Sequence, residues 1–276
     1  MRSDQMLEKL RELRDLNGKL VLITGASSGL GKLVAYEMAM HGANVVLCAR
    51  NLTALRKVAD KCKEISQTNS YVVELDVSDP DAIDRQLSHI LQDIGPVDVL
   101  INSAGFGIFE PFQNFEMDKA ENMFRVNVLG LMYVTQRIAQ QMIKSGRGHI
   151  FNIASVAGKI ATPKSSIYSA TKFAVVGFSN ALRLELRPLG VQVTTVNPGP
   201  MDTNFFRRTP ESSKYFDSVK FLALSPEKVA HQITNAVGYT RREINAPLYM
   251  EAIHRGYEWF PTLGDRLASS PLFNRK

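Results

Sequence analysis

The chain has 276 residues, of which 33 are basic and 27 are acidic, so its formal net charge at pH 7 is +6. The basic residues are spread along the chain among acidic ones, which favours a solvated surface over a nucleic-acid or membrane interface. No apolar stretch reaches the length of a membrane span. The length suits either one large domain or two small ones.

Residues 1–17 form a charged N-terminal extension without the apolar core of a signal peptide, and we expect an amphipathic helix or a frayed end there. The two cysteines, Cys48 and Cys62, indicate no disulfide framework and suit a reducing cytosol, so a cytoplasmic location is predicted. The five histidines are scattered without the spacing of metal ligands, and no metal site is expected.

A glycine-rich turn follows the first apolar run. Residues 19–24 have the pattern of a buried strand, residues 25–31 read Gly-Ala-Ser-Ser-Gly-Leu-Gly, and an amphipathic helix pattern follows over about residues 32–41. Such a turn lets backbone N–H groups at the helix start hold a pyrophosphate, at a place where a side chain would clash. Five residues separate Gly25 from Gly31, one more than a P-loop allows, so a nucleotide triphosphatase is disfavoured.

The second apolar run, residues 44–48, ends in Ala49-Arg50-Asn51. An NAD-preferring site would place a carboxylate here, about 20 residues beyond the glycines, to hold both ribose hydroxyls. Arg50 instead offers a guanidinium to a 2′-phosphate. These residues therefore predict a preference for NADP.

Strand-like and helical patterns then alternate without an intervening linker. The predicted strands are residues 71–75, 97–101, 148–153, 191–196 and 243–248, and the predicted helices are residues 52–66, 81–94, 117–144, 166–187 and 226–237. This alternation predicts one α/β domain over residues 18–248, a Rossmann-type doubly wound parallel sheet between two layers of helices. Unusual residues follow the strands at their carboxyl ends, the edge at which ligands bind in open α/β sheets.

A serine, a tyrosine and a lysine form the candidate catalytic group. Tyr168 and Lys172 are four residues apart on a predicted helix and therefore lie on one face. The Lys172 ammonium would favour the phenolate and lower the tyrosine pKa from its ordinary value of about 10. Ser155 lies just beyond a predicted strand, where its hydroxyl can hydrogen-bond the same substrate oxygen.

With these motifs in order, residues 18–205 resemble a single-domain short-chain dehydrogenase/reductase of the NADP-preferring type, and the sequence is similar to uncharacterised bacterial oxidoreductases of that family. The loop Thr24-Gly-Ala-Ser-Ser-Gly-Leu-Gly31 is similar to the family's cofactor loop. Asn102-Ser-Ala-Gly105 is similar to its N-N-A-G motif, with Ser103 in place of the second Asn. The resemblance implies four catalytic residues, Asn127, Ser155, Tyr168 and Lys172.

The resemblance also implies their roles. NADPH would deliver hydride to a carbonyl carbon while Tyr168 protonates the oxygen, and Ser155 would stabilise the developing oxyanion. Lys172 would lower the tyrosine pKa and bind the nicotinamide ribose, and Asn127 would hold a water that links Lys172 to solvent. The implied cofactor contacts are Thr24, Gly25, Ser27, Ser28, Gly29, Leu30, Gly31, Arg50, Asn51, Asp76, Val77, Asn102, Ala104, Gly105, Tyr168, Lys172, Pro198, Gly199 and Thr203.

Two segments near the C-terminus are expected to shape the substrate site. Residues 200–224 are rich in aromatic side chains and resemble the family's mobile substrate flap, although they equally suit a flap that packs on its own core. The tail, residues 249–276, has too many apolar residues for a free end, and Pro261 should interrupt its helix. We expect the tail to cover the substrate cleft or a neighbouring protomer rather than a membrane, because its acidic residues would be repelled by an anionic bilayer. Its apolar residues are Met250, Ile253, Tyr257, Trp259, Phe260, Leu263 and Leu267.

The leading function is thus an NADP-dependent oxidoreductase acting on a small-molecule carbonyl or alcohol. One alternative is a 3-oxoacyl-carrier-protein reductase, for which Arg207-Arg208 is a hint of a basic docking patch. Another is a dinucleotide-sensing regulator without turnover, which would have no need of the complete catalytic set. Because the family commonly assembles as dimers and tetramers, the resemblance implies a homo-oligomer, with neither nucleic acid nor a membrane as partner.

Overall fold

A computed structural model describes residues 2–207 and 209–268 of the chain. Seven parallel strands form one sheet in the order β3-β2-β1-β4-β5-β6-β7. The strands are β1 Leu20–Thr24, β2 Asn44–Ala49, β3 Ser70–Glu74, β4 Val99–Asn102, β5 Gly148–Ile153, β6 Val191–Pro198 and β7 Glu243–Ala246. The predicted Rossmann-type doubly wound sheet is confirmed.

Most of the helices connect consecutive strands, and together they cover both faces of the sheet. Within the described residues they are α1 Arg2–Arg11, α2 Gly29–Met40, α3 Leu52–Ile65, α4 Pro80–His89, α5 Met117–Phe124, α6 Leu131–Ser145, α7 Ser166–Leu186, α8 Pro210–Val219, α9 Pro226–Thr234, α10 Tyr249–Trp259 and α11 Pro261–Ala268. None of them combines the length and the apolar character needed to cross a membrane.

Alternate residues of β1 face opposite helical layers, as strand geometry requires. Val21 and Ile23 pack in one apolar cluster with α2, α3 and α9. Leu20 and Leu22 pack in a second cluster with α4, α6 and α7. Every residue of β1 is buried, which is typical of a parallel strand covered on both faces. The sheet therefore supplies a fixed edge on which the site is built.

The N-terminal extension is anchored to this domain. Leu10, Leu13 and Leu16 are buried in the cluster that contains α9. The Arg14 guanidinium lies 4.0 Å from the centre of the Tyr239 ring, close enough for a cation–π contact. Of the two expectations for residues 1–17, the structure shows the helix, and the three-residue spacing of its leucines explains the packing.

The C-terminal tail forms two helices over the sheet edge. α10 ends at Trp259 and α11 begins at Pro261, so the proline lies at a helix start, where it needs no backbone donor. Met250 and Ile253 face the cavity described below, whereas Trp259 is 77% exposed. The predicted burial of the tail is therefore only partial. The Leu267 side chain and residues 269–276 lie outside the described part.

Candidate functional site

A cavity of about 850 Å³ opens at the carboxyl edge of the sheet. The strand order reverses between β1 and β4, and ligands bind at this switch point in doubly wound folds. The structure brings most of the predicted site residues together on its wall: Gly25, Ser27, Ser28, Gly29, Leu30, Gly31, Arg50, Asn51, Asp76, Val77, Ala104, Gly105, Ser155, Tyr168, Lys172, Pro198, Gly199 and Thr203.

The three glycines of the first turn serve different purposes. A Cβ at Gly25 would lie 2.8 Å from the Ala104 backbone, and one at Gly31 would lie 2.6 Å from the Gly25 carbonyl oxygen. These two positions need glycine because the protein's own backbone passes close by. Gly29, with φ +53°, has Thr203 as its nearest neighbour at 3.9 Å and faces the open cavity. The predicted approach of a phosphate to bare backbone therefore applies to Gly29.

The N-terminus of α2 is available to an anion. Ser28 is its N-cap residue in an extended conformation and makes no side-chain capping hydrogen bond. Ser27, Ser28 and Gly29 all line the cavity, so the first backbone N–H groups of this helix point toward it. A pyrophosphate group fits this cradle.

Thr24 and Asn102, two predicted cofactor contacts, stand behind the cavity wall rather than on it. Thr24 Oγ1 accepts hydrogen bonds from the backbone N–H groups of residues 103 and 104, both at 3.1 Å. The Asn102 amide donates to Thr135 at 2.8 Å and to Asn152 at 2.9 Å, and its side chain is buried. These hydrogen bonds brace the wall, whereas Asn102 Oδ1 is buried without a hydrogen-bond partner within the described residues. The cofactor contacts of Thr24 and Asn102 therefore stay predictions.

Asn127 also lies behind the wall, in a π-helical turn, Arg125–Gly130, between α5 and α6. Its side chain accepts from the Phe106 N–H at 2.9 Å and donates to the Phe106 carbonyl at 2.8 Å and to Thr171 at 3.2 Å. The sequence predicted one unbroken helix here because the apolar period continues through the turn. The Asn127 side chain thus joins the loop at Phe106 to α7, and its role in holding a relay water stays a prediction.

Ser155, Tyr168 and Lys172 meet on the cavity wall, and both Tyr168 and Lys172 are buried. Lys172 Nζ donates to the Ile153 carbonyl at 2.9 Å and lies 5.7 Å from the centre of the Tyr168 ring. Burial lowers the pKa of Lys172 to about 8. The three predicted side chains therefore form one group, held between the end of β5 and the first turns of α7.

The pKa of Tyr168 differs from the prediction. Burial raises it above its ordinary value, and a hydrogen bond with Ser155 opposes that rise. Lys172 does not reverse the shift, because its ammonium is bound to the Ile153 carbonyl and burial disfavours the phenolate. The structure thus keeps Tyr168 protonated, which is the form that can donate a proton to a carbonyl oxygen.

Arg50 has a partner that the sequence argument did not foresee. Its Nη1 lies 3.7 Å from Asp76 Oδ2, because the ends of β2 and β3 are neighbours in the sheet. Burial acts to raise the pKa of Asp76, but hydrogen bonds from Ser78 and the charge of Arg50 outweigh it and hold that pKa below its usual value. A carboxylate thus does lie beside Arg50, supplied by the end of the third strand rather than the second.

The far end of the cavity is lined by aromatic side chains, of which Tyr215 belongs to the predicted flap and Phe109 was indicated by no motif. Phe109 stacks on Tyr215, with ring centres 4.3 Å apart and planes within 10° of parallel, and its ring centre lies 4.9 Å from that of Tyr168. The Tyr215 hydroxyl is hydrogen-bonded to Thr162 at 2.9 Å. Phe109 is part of an apolar loop after Gly105, and the apolar character of that loop was the signal in the sequence that could have indicated it.

Within the described residues, no group of three or more His, Cys, Asp or Glu side chains is placed to hold a metal ion.

Comparisons with known proteins agree with this geometry. A family model described as short chain dehydrogenase matches residues 19–214. The chain is also 37% identical over 188 residues to an uncharacterised oxidoreductase from Staphylococcus aureus strain MW2, an alignment that covers 68% of this chain and 80% of that protein. The similarity to uncharacterised bacterial oxidoreductases is thereby confirmed.

Solved structures with this fold bind either nicotinamide dinucleotide. A short chain dehydrogenase/reductase from Burkholderia phymatum in complex with NAD has a TM-score of 0.83 and 26% identity, covering 90% of this chain and 96% of that one. A short-chain dehydrogenase from Sphingobium yanoikuyae in complex with NADPH has a TM-score of 0.74 and 27% identity, covering 90% and 94%. These structures therefore support a dinucleotide site at this cavity and leave both NAD and NADP as possible cofactors.

Proposed function

Because the chain belongs to the short-chain dehydrogenase family, we propose that it is an NADP-dependent oxidoreductase that transfers a hydride between the nicotinamide and a carbonyl or alcohol substrate, with Tyr168 as general acid and base. The observation that carries the proposal is the convergence of Ser155, Tyr168 and Lys172 on a cavity whose other end is a glycine cradle at a helix N-terminus.

The chain's own residues would divide the work. When bound, NADPH supplies the hydride. Tyr168 is held protonated by burial and donates its proton to the substrate oxygen, while the Ser155 hydroxyl stabilises the charge that develops there. Burial lowers the pKa of Lys172 to about 8, so its ammonium group can exchange a proton near neutral pH. The Asn127 turn fixes the loop at Phe106 on the opposite wall.

The preference for NADP rests on Arg50. A 2′-phosphate would give its guanidinium a doubly charged partner in place of the exposed pairing with Asp76. The same geometry sets a limit, because a ribose that carries free hydroxyls can hydrogen-bond Asp76. Arg50 would therefore favour binding of NADPH over NADH, although the nearby Asp76 carboxylate acts in the opposite direction.

Within the described residues, no observation favours the two alternatives. Arg207, half of the basic pair that hinted at a carrier-protein substrate, is paired with Asp202 at 3.3 Å, and Arg208 lies outside the described part. A sensing regulator would have no need of a complete catalytic set. Exposed apolar side chains on α5, α7 and the turn between α5 and α6, namely Phe124, Leu129 and Phe173, support a homo-oligomer. Two buried free thiols support a cytoplasmic site of action.

The test is NADPH oxidation against ketones, aldehydes, quinones and acyl thioesters, with wild-type protein and Tyr168→Phe. The variant keeps the ring and removes the proton donor, so turnover should fall by about 10²–10⁴-fold with NADPH affinity little changed. Turnover like that of the wild type would show that Tyr168 is not the acid. A preference for acyl thioesters over every ketone would favour the carrier-protein reductase.

A further inference from the structure

The two ends of the cavity differ in charge. Among the described residues that line it, the charged ones are Arg50, Asp76 and Lys172. Arg50 and Asp76 lie at the strand ends predicted to hold the cofactor, and Lys172 lies beside the catalytic tyrosine. Beyond Tyr168 the wall has no charged side chain in the described part of the chain, so an ionised group placed there would lose its hydration without gaining a partner.

The wall next to the reacting phenol is aromatic. The Tyr168 ring centre lies 4.9 Å from that of Phe109 and 5.6 Å from that of Phe205, and Phe109 also contacts Phe206 at 5.2 Å. Whatever group flanks the reacting carbonyl must therefore lie against these rings. Contacts of this kind select apolar substituents by the area that they remove from water.

The C-terminal helices extend that apolar wall away from the catalytic residues. Met250, Ile253 and Tyr257 of α10 and Leu263 of α11 line the cavity, and the Tyr257 hydroxyl is directed to Asp265 at 2.7 Å. The lining thus continues from the phenol to the surface as a path of apolar side chains. Such a path suits a substrate with an extended apolar part rather than a compact polar one.

We infer that the substrate class is an uncharged ketone, or the matching secondary alcohol, with a long apolar chain lying along Phe109, Phe205 and the inner face of α10 and α11. This inference rests on the proposed reaction at Tyr168. It adds the chemistry of the substrate and assigns the C-terminal helices, which we name the lid (residues 249–268), to substrate selection.

The test is a series of 2-alkanones from four to twelve carbons, each compared with an analogue that ends in a carboxylate. We expect kcat/KM to rise about fourfold for each methylene added until the cavity is filled, the factor that corresponds to burial of one CH₂. The carboxylates should be at least tenfold poorer. Values that stay flat along the series, or carboxylates that equal the ketones, would overturn the inference.

Binding can also be measured without turnover. In Tyr168→Phe loaded with NADPH, isothermal titration calorimetry should give a lower dissociation constant for 2-dodecanone than for 2-hexanone. If binding depends on chain length but the wild-type protein reduces no ketone, the substrate class stands and the proposed reaction is refuted. If the wild-type protein reduces ketones without any dependence on chain length, the reaction stands and the substrate class is refuted. Ile253→Gln should weaken the dependence, whereas Leu248→Gln, an exposed residue that does not line the cavity, should leave it unchanged.

A separate observation concerns how the lid is held. Lys159 Nζ donates to Glu243 of β7 and, at 2.9 Å, to Glu251 of α10, and the Lys159 side chain is only 9% exposed. Asn245 completes the network by donating to Glu251 at 2.9 Å. Burial acts to raise the pKa of Glu243, but the hydrogen bond and charge of Lys159 outweigh it and the pKa is lowered.

Lys159 also ends the short helical turn Val156–Gly158, which begins at Ser155. That turn is packed tightly on α7, because a Cβ at Gly158 would lie 2.7 Å from the Lys172 carbonyl oxygen. One buried ammonium therefore joins the lid, the last strand and the loop of the catalytic serine. We propose that Lys159 is a positioning residue that fixes the lid relative to Ser155.

Lys159→Met and Glu251→Gln test this role. Each should raise KM for a long ketone about tenfold with kcat changed less, leave NADPH affinity unchanged and increase hydrogen exchange at the backbone amides of α10. The double variant should be no worse than the single ones. Lys159→Arg should restore KM. Arg255→Met removes an exposed partner of the same Glu251 and should change nothing. Lower thermal stability with unchanged KM and unchanged hydrogen exchange in α10 would show that the network has only a structural role, and would overturn the proposal.

Discussion

The cofactor half and the substrate half of the cavity are built by different means. The cofactor half is made of backbone at the carboxyl ends of β1 to β4, whose positions are set by parallel hydrogen-bonded register and by strands buried on both faces. The substrate half is made of side chains from the loop at Phe109 and from α8, α10 and α11. Those segments reach the cavity from separate parts of the sequence and are positioned by packing and by one buried ion network.

This difference determines what a substitution can do. In the cofactor half the geometry belongs to the sheet, so a side-chain change removes a specific contact and leaves the frame in place. In the substrate half the side chains are themselves the wall, so a change alters the shape that the substrate meets. Four experiments sharpen or break this distinction.

The largest effect is expected at the boundary between the halves. Lys172→Met removes an ammonium that lies beside Tyr168 and lines the cavity, so turnover should fall by about 10²–10⁴-fold, and NADPH should bind more weakly. Single-turnover rates and NADPH titration measure the two separately. Lys144→Met, at the exposed end of α6, is the control. Unchanged NADPH affinity would show that Lys172 serves the proton transfer alone.

The sequence predicted the cofactor half well because its signals are local. Gly25, Gly29 and Gly31 follow a strand and precede a helix, and that order alone indicates a phosphate turn. The spacing of Tyr168 and Lys172 likewise places both on one helical face. What the sequence could not show is which side chains turn inward at strand ends, as Thr24 and Asn102 do in bonding to neighbouring segments.

The substrate half was harder to predict because its contacts join distant residues. Nothing in the local pattern pairs Phe109 with Tyr215, or Lys159 with Glu251, and each pair exists only once the sheet has brought its segments together. The raised pKa of Tyr168 has the same origin, since burial in the folded protein outweighs the hydrogen bond with Ser155 that lowers it. Tertiary packing therefore determines which side chains meet in the substrate half, whereas sequence spacing determines it in the cofactor half.

The second experiment measures how pH changes the stability of the sheet on which both halves are built. His149 on β5 is buried, hydrogen-bonded to Thr194 at 2.9 Å and accepting from the Gly238 N–H at 3.2 Å. Burial lowers its pKa from 6.5 to about 3. Between these two values the unfolded chain binds the proton and the folded chain does not, so stability falls as pH drops from about 6.5 to about 3.

The loss at His149 has a maximum slope of about 1.4 kcal/mol per pH unit. Urea unfolding at several pH values should show that the slope is smaller in His149→Gln, while His41→Gln, at an exposed helix end, keeps the wild-type slope. Equal slopes in all three proteins would contradict the assignment.

The third experiment addresses the choice of cofactor. Arg50→Ala should weaken NADPH binding by about 1.5–3 kcal/mol, the contribution of a hydrogen bond to a charged group, and should leave NADH nearly unaffected. Asp76→Asn should act in the opposite direction on NADPH, because it frees the guanidinium from its partner. Dissociation constants for both cofactors decide the point. Equal losses for NADPH and NADH in Arg50→Ala would show that Arg50 does not read the 2′-phosphate.

The smallest effect is expected at Asn51, which follows Arg50 on the cavity wall and was predicted to contact the cofactor. Its Oδ1 accepts the Ala54 N–H at 2.9 Å and so caps the N-terminus of α3. Asn51→Ala should therefore lower the free energy of unfolding by about 1 kcal/mol, the usual contribution of an N-cap. NADPH affinity should fall less than in Arg50→Ala. Asn51→Ser, which keeps a capping oxygen, should recover the lost stability. If Asn51→Ala weakens NADPH binding while stability stays at the wild-type value, Asn51 is a cofactor contact, and the cofactor half depends on side chains more than its backbone construction indicates.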